Sequence, residues 1–272
     1  IFEDKNFDPS RLILIENTAA SSPAGYQGDL EISSLYITLD AYLNENFRLA
    51  AGIRNEDGEQ MVNTYDVFQM VDNNIEKIID EDYTLPSFTL TYLPEFDENL
   101  QIRLGLSQTI ARPTFRELSP TLFIDVDTDR VISGSLYLEN SEIDNIDLRV
   151  EYYWGFNQFL TAGLFYKDIS KPIEEVVNES GDLIITSYQN VPSAEVTGFE
   201  IEYERIYEDL LPDSKWGSTK EFIFKMNFTA TDSEVIYNDT DTYINTQGSE
   251  VKAASLFANG RDTRLQGQSE EI

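Results

Sequence analysis

Ile146-Asp147-Leu148-Arg149-Val150-Glu151-Tyr152-Tyr153-Trp154 alternates apolar with polar almost residue by residue, and after Gly155–Gln158 the run Leu160-Thr161-Ala162-Gly163-Leu164-Phe165-Tyr166-Lys167 does so again. Successive side chains of an extended chain point to opposite sides, so a period of two means a strand with one apolar and one polar face. Ile146, Leu148, Val150, Tyr152 and Trp154 take one side, and Asp147, Arg149, Glu151 and Tyr153 take the other. Two such runs joined by a short turn predict an antiparallel pair whose apolar faces coincide.

The pattern extends both ways along the chain. Leu35, Ile37, Leu39, Ala41 and Leu43 are followed, across a turn at 44–46, by Phe47, Leu49, Ala51 and Ile53. Phe88, Leu90 and Tyr92 precede a turn at 94–99, and Leu100, Ile102, Leu104 and Leu106 follow it. Phe199, Ile201 and Tyr203 lead through 206–220 to Phe222, Phe224, Met226, Phe228 and Ala230. The connections at the other end, 55–85, 107–144, 168–195 and 231–272, are long. Short turns at one end and long segments at the other mark an up-and-down barrel in an outer membrane. The apolar faces carry almost no charge, and Tyr42, Phe47, Tyr92, Tyr152, Trp154, Phe156, Phe159, Tyr203 and Phe222 gather beside the short turns, where an interfacial girdle belongs. The fold expected is therefore all-β: an antiparallel up-and-down transmembrane β-barrel, here an incomplete set of about eight strands with long extracellular loops. Periodicity alone also allows a soluble β-sandwich displayed at the cell surface for binding or adhesion, although a sandwich has no reason to gather its long loops at one end.

Composition narrows the chemistry. Fifty acidic against 19 basic residues give a net charge of −31, which repels phosphate backbones and argues against a nucleic-acid partner. There is neither Cys nor His, so thiolate nucleophiles, His-based triads and most zinc sites are excluded. No phosphate-binding loop, dinucleotide fingerprint or nucleophile elbow occurs, and acidic pairs are too common here to argue for a glycosidase. An enzyme is not expected, nor is a cofactor or a resident metal. Asp125, Asp127 and Asp129 alternate like the start of a calcium loop, but the Gly and the bidentate Glu such a loop needs are missing. No apolar run reaches the roughly 18 residues of a membrane-crossing helix. Without an initial Met, the chain reads as an internal fragment.

Several ordered motifs resemble one family. Ser107-Gln108-Thr109-Ile110-Ala111-Arg112-Pro113-Thr114-Phe115-Arg116-Glu117-Leu118-Ser119-Pro120 is similar to the "S-x-T-x-A-R-P-x-F-R-E-L-x-P" segment of TonB-dependent outer-membrane receptors. Phe165-Tyr166-Lys167-Asp168-Ile169 with Lys171-Pro172-Ile173-Glu174 resembles "F-Y-K-x-I-x-x-P-I-E", and Asn190 to Glu202 resembles "N-x-x-x-A-x-V-x-G-x-E". Arg264-Leu265-Gln266-Gly267-Gln268-Ser269 is similar to the "L-Q-G-Q-S-P" entry to a following strand. Two places depart: Gly134-Ser135-Leu136-Tyr137-Leu138 stands where "G-N-P-x-L" is usual, and Glu270 replaces a Pro. The resemblance implies a barrel of about 22 strands blocked by an N-terminal plug. Residues 1–272 would then be part of that barrel, with the plug, the energy-coupling box and the last strands outside this chain.

Two groups of candidate residues follow. Arg112, Phe115, Arg116, Phe123, Tyr137 and Tyr188 fall in the external segments, where they either contact a ligand or pack the loops and fix the strand exits. Arg48, Arg54, Arg103, Arg149, Glu151 and Glu200 lie on the polar face, expected to be a lumenal charge network that meets water, plug or ligand. The function these imply is active uptake of a scarce nutrient (a metal chelate or siderophore, an oligosaccharide or a peptide). The expected partners are outer-membrane lipid, the nutrient, and the TonB complex acting through the N-terminal region.

Overall fold

A computed structural model of the chain describes residues 25–65, 76–125, 130–180, 183–208, 221–238, 240–255 and 265. In chain order these form β1 (Gly25–Tyr42), β2 (Phe47–Tyr65), β3 (Glu76–Tyr92), β4 (Leu100–Ala111), the one-turn helix α1 (Phe115–Leu118), and the short strands β5 (Phe123–Ile124) and β6 (Val131–Ile132). There follow β7 (Ser141–Gly155), β8 (Gln158–Ser170), β9 (Ile173–Ser180), β10 (Leu183–Asn190), β11 (Ser193–Glu208), β12 (Glu221–Ile236), β13 (Thr242–Ile244) and β14 (Glu250–Lys252). One antiparallel sheet runs β1-β2-β3-β4-β7-β8-β11-β12. A second, β5-β6-β10-β9, unites two connecting segments, and β13-β14 is a hairpin by itself.

Register turns the sequence alternation into continuous rows. Ala41, Leu49, Leu90, Leu104, Leu148, Leu164, Phe199 and Ala230 stand opposite one another in turn across all eight strands. From Leu104 to Phe199 these apolar side chains lie open, Leu164 at 60% exposed, and the remaining four are half-buried. Among the described residues no second layer covers this face, as a sandwich would require. The sheet is not closed, as fits an incomplete barrel.

The short turns are held by local chemistry. The Asn44 side chain accepts hydrogen bonds from the backbone N–H groups of Asn46 and Phe47, both at 2.9 Å, and Asp97 accepts from Asn99 at 3.0 Å. Asn157, at φ 54°, supplies the left-handed step of the two-residue β7–β8 turn. Beside these turns the aromatic band forms on the apolar face: Phe47 meets Tyr92 at 5.1 Å between centroids, and Tyr152, Trp154, Tyr203 and Phe224 follow one another at 5.6–5.9 Å. Two expected members fall elsewhere. Tyr42 stands opposite Arg48 and Phe159 packs on Tyr153, both on the polar face, because their parity differs by one from their neighbours.

The long connections hold more strand than the periodicity predicts. Segment 55–85 is mostly β2 and β3, which stay paired from Phe47–Tyr92 to Asn63–Glu76. β1, β2 and β3 have 18, 19 and 17 residues, whereas a tilted strand crosses a bilayer in roughly 9–11. Their outer halves therefore project well beyond the apolar belt. There the alternation inverts: Glu56, Gly58, Gln60, Val62 and Thr64 are buried, while Asn55, Asp57 and Glu59 are exposed. Segment 168–195 likewise contains the hairpin β9–β10, and 206–220 contributes three more residues to β11. Asp127, Asp129, Arg264 and residues 266–269 lie outside the described residues.

Candidate functional site

The segment after β4 covers the inner face of the projecting strands, and α1 explains how. Thr114 caps the helix: its hydroxyl accepts from the Glu117 N–H at 3.3 Å, and the Glu117 carboxylate accepts from the Thr114 N–H at 2.7 Å. Leu118 is thereby turned onto Val62, Ile79 and Leu138, all buried, with Tyr26, Phe115, Ile173 and Tyr188 packed around them. Close approach demands small residues opposite. A Cβ on Gly58 would stand 2.6 Å from the Arg112 guanidinium, and one on Gly28 would stand 2.5 Å from the Phe115 ring. Gly134 meets α1 in the same way, its N–H donating to the Ser119 carbonyl at 2.8 Å.

An ion cluster locks this exit. Glu56, 7% exposed, receives Arg112 at 2.5 Å and Arg54 at 2.9 Å. Burial alone would raise the Glu56 pKa, but the two guanidiniums outweigh it and hold the carboxyl below its ordinary value. Gln60 donates to the Pro113 carbonyl at 2.7 Å. Nearby, Asn140 donates to Glu81 and Tyr83 at 3.2 and 3.1 Å, and burial with the adjacent Glu81 pushes the Tyr83 hydroxyl up to about 12. Arg116 stacks on Phe123, and burial pushes its pKa down. Arg112, Phe115, Arg116, Phe123 and Tyr188 thus all make packing or ionic contacts inside the folded outer segments.

Tyr137 differs: it is 46% exposed and lines two cavities at once. One, about 230 Å³, lies among Tyr137, Glu139, Lys171, Asn190, Thr242 and Tyr243. The other, about 300 Å³, adjoins Ser133, Ser135, Ser187 and Gln247. The groove is built from three connections. Asn190 ties two of them, accepting from the Glu139 N–H at 2.9 Å and donating to the Glu139 and Lys171 carbonyls at 3.1 and 2.7 Å. Lys171 forms an ion pair with Glu139, which raises its pKa. The β13–β14 hairpin supplies the third wall, with Gly248 (φ +76°) against the Tyr137 ring. Lys171, Asn190 and Tyr243 were not among the expected site residues. Asn190 opens one of the family motifs, which was the available signal for it.

On the inner face of the belt, Tyr42, Arg48, Thr91, Arg103, Arg149, Gly163, Glu200 and Thr229 form the row next to the apolar one. Four of the expected network residues share it. Arg103 and Arg149 stand directly opposite and converge on Glu151, 3% exposed, at 3.4 and 3.3 Å. Gln101 and Tyr153 also donate to Glu151, at 2.6 and 3.1 Å. Arg149 reaches Glu202 at 3.7 Å, whereas Glu200 lies opposite Gly163 and Thr229 and outside these pairs. Arg48 pairs instead with Asp40 at 2.5 Å, and Arg54 belongs to the Glu56 cluster.

An open antiparallel wall with an exposed apolar belt, a charged inner face and folded-in outer connections defines a section of a large membrane barrel. The family model described as TonB dependent receptor-like, β-barrel, matches residues 5–262, and the chain belongs to that family. Its fold is similar to the siderophore receptor PiuA from Acinetobacter baumannii, at 14% identity over 84% of this chain and a TM-score of 0.54. It is also similar to the copper transporter OprC, at 17% identity over 76% of this chain and a TM-score of 0.50. The matches cover 28% and 29% of those two proteins, so the chain spans less than a third of either. No curated protein sequence matches it.

Proposed function

We propose that this chain forms barrel wall and outer capture surface of a TonB-dependent receptor in a Gram-negative outer membrane, which takes up a scarce small nutrient. The observation that carries the reading is the unbroken apolar row across eight strands, open to its surroundings. In water it would be an aggregation surface, and in lipid it is a belt. The receptor's plug and the contact with the TonB energy-coupling complex belong to the rest of the barrel protein. Family membership supports a transport role over an enzymatic one.

The groove at Tyr137 is the capture site in this reading. Its formal charges cancel: Lys171 is paired with Glu139, and no other described residue lining either cavity is charged. In a chain of net charge −31, a groove with no excess cation favours an uncharged, hydroxyl-rich ligand such as an oligosaccharide over an anionic metal chelate or a peptide. Tyr137 and Tyr243 offer ring faces, and Thr242, Ser133 and Gln247 offer hydrogen-bonding groups. The test uses the full-length receptor: outer-membrane partition with heat-modifiable gel mobility, then titration with neutral oligosaccharides, ferric chelates and short peptides. Tyr137→Ala should weaken the preferred ligand by roughly three- to tenfold. A soluble receptor without a heat shift would end the transport reading, and unchanged affinity in the variant would remove the groove from it.

A further inference from the structure

Among the described residues of the eight main strands, one Arg or Lys has the parity of the apolar face: Arg205 of β11. It stands opposite Phe224, two positions past Tyr203 towards the turn end of the sheet. A lone cation in the hydrocarbon would cost roughly 2–4 kcal/mol at the midplane and far less near the interface, so its depth matters. The aromatic band fixes that depth. The Arg205 guanidinium lies 5.6 Å from the Trp154 ring and 5.2 Å from the Tyr207 ring, inside the girdle beside the short turns. The Tyr203 and Tyr207 hydroxyls are 3.0 Å apart and share one donated proton, which leaves the other hydroxyl proton free to donate. No described carboxylate pairs with Arg205, whereas Arg48, Arg54, Arg103, Arg112, Arg130, Arg149, Lys171 and Lys225 each have one. Phe222, Phe224 and Leu160, exposed at 50%, 42% and 42%, continue the same face.

We propose that Arg205, with Tyr203 and Tyr207, binds the phosphodiester headgroup of one inner-leaflet phospholipid, whose acyl chain lies along Phe224 and Leu160. A guanidinium presents a planar fork of donors that matches two phosphate oxygens, and stacking between two rings holds that fork in place. The free tyrosine proton supplies a further donor. The apolar residues beside it select a lipid over free phosphate, because only a lipid fills both halves of the site. The site lies at the opposite end of the strands from the Tyr137 groove and is independent of it. It rests on the membrane reading proposed above.

The experiment is native mass spectrometry of the full-length receptor released from nanodiscs of phosphatidylethanolamine and phosphatidylglycerol. Arg205→Gln should lower the phospholipid retained per barrel by about tenfold, with Arg205→Lys intermediate and Lys225→Gln, on the inner face at a similar depth, unchanged. Heat-modifiable mobility, followed in parallel, shows whether each variant is assembled. Equal lipid retention in assembled Arg205→Gln would overturn the proposal. Displacement of the lipid by millimolar inorganic phosphate would overturn its acyl part. If the unmodified receptor itself fails to reach the outer membrane, the membrane reading has failed, and that outcome is separate from both.

Discussion

The two halves of β2 obey opposite rules. From Phe47 to Ile53 the odd-numbered residues are apolar and face outward, half-buried at Phe47, Leu49 and Ala51 and exposed at Ile53, while Arg48 and Arg54 point the other way. From Asn55 to Glu59 the odd-numbered side is open and becomes acidic and polar, and from Glu56 to Thr64 the even-numbered side becomes the buried one. Neither the strand nor its pairing changes between these halves, because the register with β1 and β3 is continuous. What changes is the medium on each side. Lipid makes the outer face of the lower half apolar. In the upper half water lies outside, and the folded-in segment after β4 supplies a core inside. A β-strand does not carry its own definition of inside.

The largest effect expected from this contrast comes from placing a charge on the lower outer face. Leu104→Arg or Leu164→Arg puts a cation in the middle of the apolar row, at a cost of roughly 2–4 kcal/mol each at the midplane. Assembly into the outer membrane, read by heat-dependent gel mobility, should be lost. Gln101→Arg, on the inner face beside Glu151, should assemble normally. Equal behaviour of all three would erase the distinction between the faces.

A smaller and more local loss is expected in the upper half. Arg112→Ala leaves Glu56 buried with Arg54 alone, and breaking a buried pair costs roughly 3–5 kcal/mol. The wall should still assemble, while amides of 112–140 exchange faster and proteases cut there. Acid should act similarly. The folded Glu56 pKa is depressed, so its stabilisation is complete above the ordinary value of 4.5 and is lost as pH falls through the lower, folded value. The outer segments should therefore loosen in acid before the belt does. If exchange in 112–140 is indifferent both to the substitution and to acid, the ion cluster is not what holds the outer half.

The same contrast explains what could be read from the sequence. The belt was legible because lipid demands apolar side chains on one parity, and Leu49, Leu90, Leu104, Leu148 and Leu164 hold those positions with the short turns all at one end. The projecting half of β2 was not, because its buried residues Glu56, Gly58, Gln60 and Thr64 are polar or small and imitate a loop. Their burial is compensated from a distance, by Arg112 and by the Pro113 carbonyl. The Arg-Pro motif therefore signalled a connection whose second party, Glu56, carries no motif. The groove was half legible. An aromatic in an external segment pointed to Tyr137, but Asn190 joins Glu139 across 51 residues, and no local pattern announces such a contact.

The Lys171–Glu139 pair, at the junction of two connections, should show the smallest effect. Both side chains are about half exposed, at 58% and 49%, so solvent screens the attraction, and such pairs contribute roughly 0.2–1 kcal/mol. Lys171→Ala should leave assembly and exchange in 112–140 almost unchanged, because Asn190 still bridges the same two segments through three hydrogen bonds to backbone groups. Asn190→Ala removes all three and should release the junction, which would appear as faster exchange at both 137–140 and 171–173. The order of these two variants separates two pictures of the outer surface. If Asn190→Ala is the more damaging, the connections are joined by directional backbone contacts, as the buried exit is. If Lys171→Ala is the more damaging, charge holds them, and the upper half would depend on salt in a way that the belt does not.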